Sequence, residues 1–122
     1  MWIATKFGFY SIVQTRENKD IFMVRTRAEK DLQNLKNTLP VLKNHEIKIT
    51  KHADYHFRLL VNREELSQLM QFFATEIDYP NFKDKVYKVA NQKDKLLFYH
   101  KIWEIMHSYQ TQFFEGNQFS KC

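Results

Sequence analysis

The stretch HFRLLVNREELSQLMQFFATEI, residues 56–77, changes its hydrophobic period halfway along. Phe57, Leu59 and Val61 alternate with His56, Arg58 and Leu60, the two-residue repeat of a strand. Asn62 and Glu65 have the spacing of a capping box, with the Asn62 side chain accepting from the first free N–H groups of a helix. Leu66, Leu69, Met70, Phe73 and Ile77 then return every three or four residues and trace one helical face. A strand running straight into an amphipathic helix implies a sheet with helices laid on one side.

Working outward toward the start, Trp2 to Gln14 is almost uncharged and rich in aromatic and β-branched residues, so it reads as one strand. Gly8 within it suggests a bulge or a close backbone approach. Glu17 to Asp20 is a polar turn, and Ile21 to Thr26 a second strand. Leu32, Leu35 and Leu39 mark a helix from Ala28 that stops before Pro40. Ile47 and Ile49 mark a third strand. Beyond residue 77, Asn81 caps a short helix with Phe82, Val86 and Val89 on one side. A long helix then runs from about Asp94 to Phe113, and the tail from Glu115 to Cys122 is expected to fray. The expected fold is α+β, a small antiparallel sheet of about four strands packed by a C-terminal helical part, in the order β-β-α-β-β-α-α-α. The whole chain, 1–122, reads as a single ligand-binding domain.

The long helix carries Leu96, Leu97, Phe98, Tyr99, Ile102, Trp103, Ile105, Met106 and Tyr109. A helix apolar nearly all round must be covered on more than one side. A chain of 122 residues has little material for that, so a second copy is the expected cover.

Composition narrows the function. With 43% hydrophobic and 27% charged residues, the chain is composed like an ordinary globular domain. Two glycines exclude glycine-rich phosphate loops of the Walker or dinucleotide type. No apolar run reaches the roughly 20 residues that span a bilayer, and no signal-peptide pattern opens the chain. The single cysteine, Cys122, excludes internal disulfides and cysteine-based metal sites, and a reducing, cytoplasmic setting follows. His52 and His56 flank the start of a strand, where their spacing does not converge. His100 and His107 lie about 10.5 Å apart along a helix, too far to share one ion. No metal site and no cofactor is expected. Without a nucleophile elbow, an H-E-x-x-H helix or a cysteine with a base, binding without turnover is the simpler reading.

Aromatics at 16% and a net charge of +5 point to an anionic partner that carries flat rings. Residues 81–101 hold six lysines against two aspartates, and Tyr79, Phe82, Tyr87 and Tyr99 sit near or among them. Lys83 and Tyr99 are candidates there, since rings beside cations stack a base while the cations meet phosphate. A solvated amphipathic helix with inward rings fits the same pattern. Arg25 and Arg27 end the second strand where a helix begins, an arrangement suited to clamping pyrophosphate and equally to solvent-facing strand ends. Asn81 and Asn91 bracket the short helix, as readers of a base edge or ribose or as plain caps.

Met1-Trp2-Ile3-Ala4-Thr5-Lys6-Phe7-Gly8-Phe9, Met23-Val24-Arg25-Thr26-Arg27, Ala53-Asp54-Tyr55, Asp78-Tyr79-Pro80-Asn81-Phe82-Lys83 and Ile102-Trp103-Glu104-Ile105-Met106 follow one another in order. Together they resemble the Thoeris anti-defence sponges of phages and prophages, first type. That resemblance implies a protein of an infected or lysogenic bacterial cytoplasm. It implies binding of glycocyclic ADP-ribose, the signal of bacterial TIR-domain immunity, without degradation. It implies homodimers, or hexamers built of dimers, with pockets where protomers meet, and in some members a separate site for cyclic oligonucleotide signals. Carried onto this chain, Arg25 and Arg27 meet phosphate, Phe82 stacks the adenine, and Asp78, Asn81 and Asn91 supply polar contacts. An arginine expected near the end of the last helix is missing, since His107 to Gln112 contains none. The resemblance implies neither a membrane nor a nucleic-acid partner. The alternative is a basic, aromatic nucleic-acid-binding module built on the lysines of residues 81–101.

Overall fold

A computed structural model of the chain describes residues 1–120, with side chains through residue 114. The architecture is α+β, and the chain divides into two compact units, Met1–Pro80 and Asn81–Cys122.

The first unit is built on a five-stranded antiparallel sheet of β1 (Trp2–Thr5), β2 (Gly8–Gln14), β3 (Ile21–Thr26), β4 (Lys48–Ile49) and β5 (Phe57–Asn62). Their spatial order is β1-β2-β3-β5-β4. The expected single strand over residues 2–14 is instead a hairpin, because the chain reverses at Lys6 and Phe7. Thr5 closes that reversal: its Oγ1 accepts from the Phe7 and Gly8 N–H groups at 3.1 and 3.2 Å and donates to the Gly8 carbonyl at 3.1 Å. This adds a fifth strand to the four expected.

Helix α1 (Glu29–Thr38) ends before Pro40, which opens a short 3-10 turn, and helix α2 (Arg63–Thr75) follows β5 without a break. The capping box is complete. Asn62 Oδ1 accepts from Glu65 N–H at 2.8 Å, and Glu65 Oε1 accepts from Asn62 N–H at 2.9 Å. Tyr10, Ile12, Phe22, Val24, Leu59 and Val61 on one face of the sheet pack with Leu32 and Leu35 of α1 and Leu69 and Phe73 of α2. Alternation places Phe9, Ser11, Val13, Met23, Arg25, Arg58 and Leu60 on the other face, away from that core. Ile77, expected on the buried face of α2, lies past the helix end and is exposed.

Lys6 is buried at the hairpin tip, its ammonium 3.1 Å from both Glu76 Oε2 and Asp78 Oδ1. Burial pulls its pKa down, but the two carboxylates outweigh that and hold it above the ordinary 10.5. The pairing therefore stabilises fully below pH 10.5 and is lost as pH rises through the elevated folded value. Lys6→Met is expected to cost about 1 kcal/mol at neutral pH, both carboxylates being partly in solvent. Denaturant unfolding of both proteins should show that difference shrinking as the pH climbs past 10.5. A constant difference would show that the ion pair is not its source.

The second unit holds α3 (Phe82–Lys88), a 3-10 turn at Lys93–Lys95 and α4 (Leu96–Ser120). The last helix starts after the turn, slightly later than expected. Its bounds run to Ser120; Lys121 and Cys122, the end of the tail expected to fray, lie outside the described residues.

Candidate functional site

Arg25 ends β3 on the open face of the sheet, and Arg27 lies just beyond the strand. Tyr55, in the loop before β5, is buried and receives both: the Arg25 and Arg27 guanidinium carbons stand 4.6 and 4.0 Å from its ring centroid. A tyrosine face attracts guanidinium through its negative quadrupole, so one ring holds two flexible cations. Arg25 donates from Nη2 to Ser11 Oγ at 2.7 Å. Arg27 is exposed and pairs with Asp54 at 3.5 Å. Arg58, on the strand neighbouring β3, is the cross-strand partner of Arg25 and donates from Nη2 to the Tyr55 carbonyl at 3.3 Å. Three arginines thus gather around one tyrosine.

The strand-end arginines are legible in the sequence; the gathering of Arg58 and Tyr55 beside them is not. The available signal was parity, since alternation about Leu59 puts Arg58 on the face that Arg25 shares.

The remaining candidates have the following surroundings within their own units. Asp78 accepts from Lys6 at 3.1 Å. Asn81 caps α3, its Oδ1 accepting from Asp84 N–H at 3.0 Å. Phe82, half-buried, packs against Tyr99 with ring centroids 5.2 Å apart and planes 44° apart. Lys83 places Nζ 5.0 Å from the Trp103 centroid and 3.3 Å from His100 Nδ1. Asn91 turns the chain at φ 60°, a left-handed conformation that asparagine tolerates better than most residues, and its Oδ1 accepts from Gln92 Nε2 at 3.1 Å. The structure brings Arg25 and Arg27 together, Phe82 and Tyr99 together, and ties Asn81 and Asn91 to backbone shaping.

Lys93 also lies over a ring, 4.5 Å from the Tyr87 centroid. Two lysines of the basic stretch, Lys83 and Lys93, thus lie over aromatic rings of their own unit.

A cavity of about 300 Å³ opens between the edge strand β1 and the end of α2, lined by Ile3, Phe7, Met70, Phe73, Ile77 and Tyr79 with Lys6 and Glu76. Its one ammonium is already held by two carboxylates, so it offers little to an anion. In the arginine cluster only Arg27 pairs with a carboxylate among the described residues, that of Asp54. Among the described residues no three His, Cys, Asp or Glu side chains cluster as metal ligands, and no helix is long and apolar enough to cross a membrane. No family profile, curated protein or solved structure matches the chain.

Proposed function

We propose that the protein is a binding module for a phosphorylated small molecule that carries a flat ring, and that it holds this molecule unaltered. The particular ligand proposed is glycocyclic ADP-ribose, sequestered in the bacterial cytoplasm so that Thoeris immunity is not triggered, with cyclic oligonucleotide signals as further cargo. The observation that carries this reading is the placing of the Arg25 and Arg27 guanidinium groups at one buried tyrosine ring, 4.6 and 4.0 Å from the Tyr55 centroid, since guanidinium forks match phosphate bidentately. Phe82, the ring that the resemblance assigns to adenine, packs against Tyr99 in the second unit. No step of bond making or breaking is assigned to any side chain.

A ligand of about 35 non-hydrogen atoms yields about 0.3 kcal/mol per atom, or about 10 kcal/mol, between micromolar and nanomolar dissociation constants. Sequestration needs the tight end, and enclosure between two copies supplies it more readily than an open sheet face. A homodimer, alone or assembled into hexamers, is therefore part of the proposal. The support for it is the exposed apolar stripe of α4, where Ile102, Ile105 and Met106 stand in solvent.

Calorimetry with glycocyclic ADP-ribose tests the reading. Arg27→Ala is expected to weaken binding by roughly 1.5–3 kcal/mol, the range for a hydrogen bond to a charged group. Heat denaturation of the loaded protein should release the nucleotide intact by chromatography. ADP-ribose in the supernatant would end the sequestration reading, and unchanged affinity in Arg27→Ala would remove the clamp from it.

A further inference from the structure

One row of side chains crosses the open face of the sheet at a single register: Trp2 on β1, Ser11 on β2, Arg25 on β3, Arg58 on β5 and Lys48 on β4. Side chains directly opposite on antiparallel strands have Cβ atoms about 4.5–5.5 Å apart, and like charges placed there repel. Arg25 and Arg58 are such a pair, both half-buried, and Lys48 adds a third cation beside Arg58.

A sheet ordinarily relieves this with a carboxylate. Here every acceptor is neutral. Arg25 Nη2 donates to the Ser11 hydroxyl at 2.7 Å, Arg58 Nη2 donates to the Tyr55 carbonyl at 3.3 Å, and Arg58 Nη1 faces Met23 Sδ at 3.9 Å. The Nε atoms of both arginines are buried without an acceptor. Among the described residues neither guanidinium has a carboxylate within ion-pair distance, the nearby Asp54 being engaged by Arg27. Two cationic side chains thus rise from directly opposed positions of β3 and β5, partly out of water, without a counter-charge. Such a pair is unfavourable alone and favourable once one dianion shares both forks.

We infer that Arg25 and Arg58 together form a seat for a phosphate dianion, so that β5 contributes a ligand residue beside the β3 end. The ligand chemistry is a pyrophosphate or phosphate ester, whether free or borne by a nucleotide. The seat deepens the proposed function, and rests on that reading only for the identity of the molecule that brings the phosphates.

The full-length protein, Arg58→Met and Arg58→Lys are titrated with inorganic pyrophosphate and, separately, ADP-ribose at constant ionic strength, by calorimetry and thermal melting. Both ligands are expected to bind the unaltered protein and raise its melting temperature. Arg58→Met should weaken pyrophosphate binding about tenfold to a hundredfold. Without ligand it should melt higher than the unaltered protein, because the cross-strand repulsion is gone. Arg58→Lys keeps the charge and should retain part of the affinity. Stronger stabilisation by ADP-ribose than by pyrophosphate identifies a nucleotide as the carrier, and equal stabilisation identifies free polyphosphate. Equal pyrophosphate affinity in Arg58→Met, or sulfate stabilising the unaltered protein as well as pyrophosphate does, would overturn the seat. Failure of the broader reading looks different: the cyclic nucleotide is ignored or hydrolysed while pyrophosphate still binds through Arg58.

Discussion

Ile102→Asp combined with Ile105→Asp should leave a folded chain that no longer associates. On α4, Phe98, Ile102, Ile105 and Tyr109 recur at spacings of four, three and four, the seam along which two helices interlock. Met106 and Phe113 flank that seam, and all six side chains are exposed, Ile105 by 67%. Leu97, Trp103 and Phe114 are exposed outside it, so apolar surface extends beyond the seam around much of the helix. Burying a side chain of this kind contributes about 1.5–3 kcal/mol, so six per copy outweigh the roughly 4–15 kcal/mol lost on association. Aspartates at two seam positions place four carboxylates in the interface of a pair, and each buried without a partner costs several kcal/mol. Both sites are solvent-facing within one copy, so helicity and the unfolding midpoint should hardly move. Light scattering is expected to report two copies, or six, for the unaltered protein and one for the variant. Two copies in both would place the interface elsewhere on the molecule.

Local pattern carried most of the fold. The switch from alternation to helical spacing at Asn62, the capping box and the stop before Pro40 depend on neighbouring residues and are where the sequence puts them. What escaped was set by side chains acting as backbone or by contacts distant in sequence. The reversal at Lys6 and Phe7 has no proline, asparagine or paired glycine to announce it, since the Thr5 hydroxyl makes the turn's hydrogen bonds. Lys6 is buried because Glu76 and Asp78 arrive from the far end of α2, which no local window contains. The candidate site divides in the same way. Arg25 and Arg27 stand out as strand-end cations, whereas Arg58 becomes their neighbour only through the β3–β5 register. Tyr55 matters because a loop of no evident pattern folds its ring under both guanidinium groups.

Gly8→Ala is expected to destabilise the protein by about 2–4 kcal/mol, the overpacking of a filled interior together with a lost buried hydrogen bond. A methyl group at Gly8 would stand 2.5 Å from Asp31 Cγ and 2.6 Å from Asp31 Cβ. Rotating the Asp31 side chain relieves the first contact but not the second, because Cβ moves only with the backbone of α1. Either the hairpin or the helix must shift. Asp31 is buried, its Oδ2 accepts from Phe9 N–H at 3.1 Å, and its carbonyl accepts from the Tyr10 hydroxyl at 2.8 Å, so a shift on either side strains both bonds. For a chain of this size the effect corresponds to a melting temperature lower by roughly 10 °C. It should reach the arginine cluster as well, because Ser11, which accepts from Arg25, lies three residues further along the same strand. Thermal unfolding followed by circular dichroism measures the first effect, and pyrophosphate affinity the second. A midpoint within about 2 °C of the unaltered protein would be too small for the expected loss, and would mean that β2 does not press against α1 at this glycine.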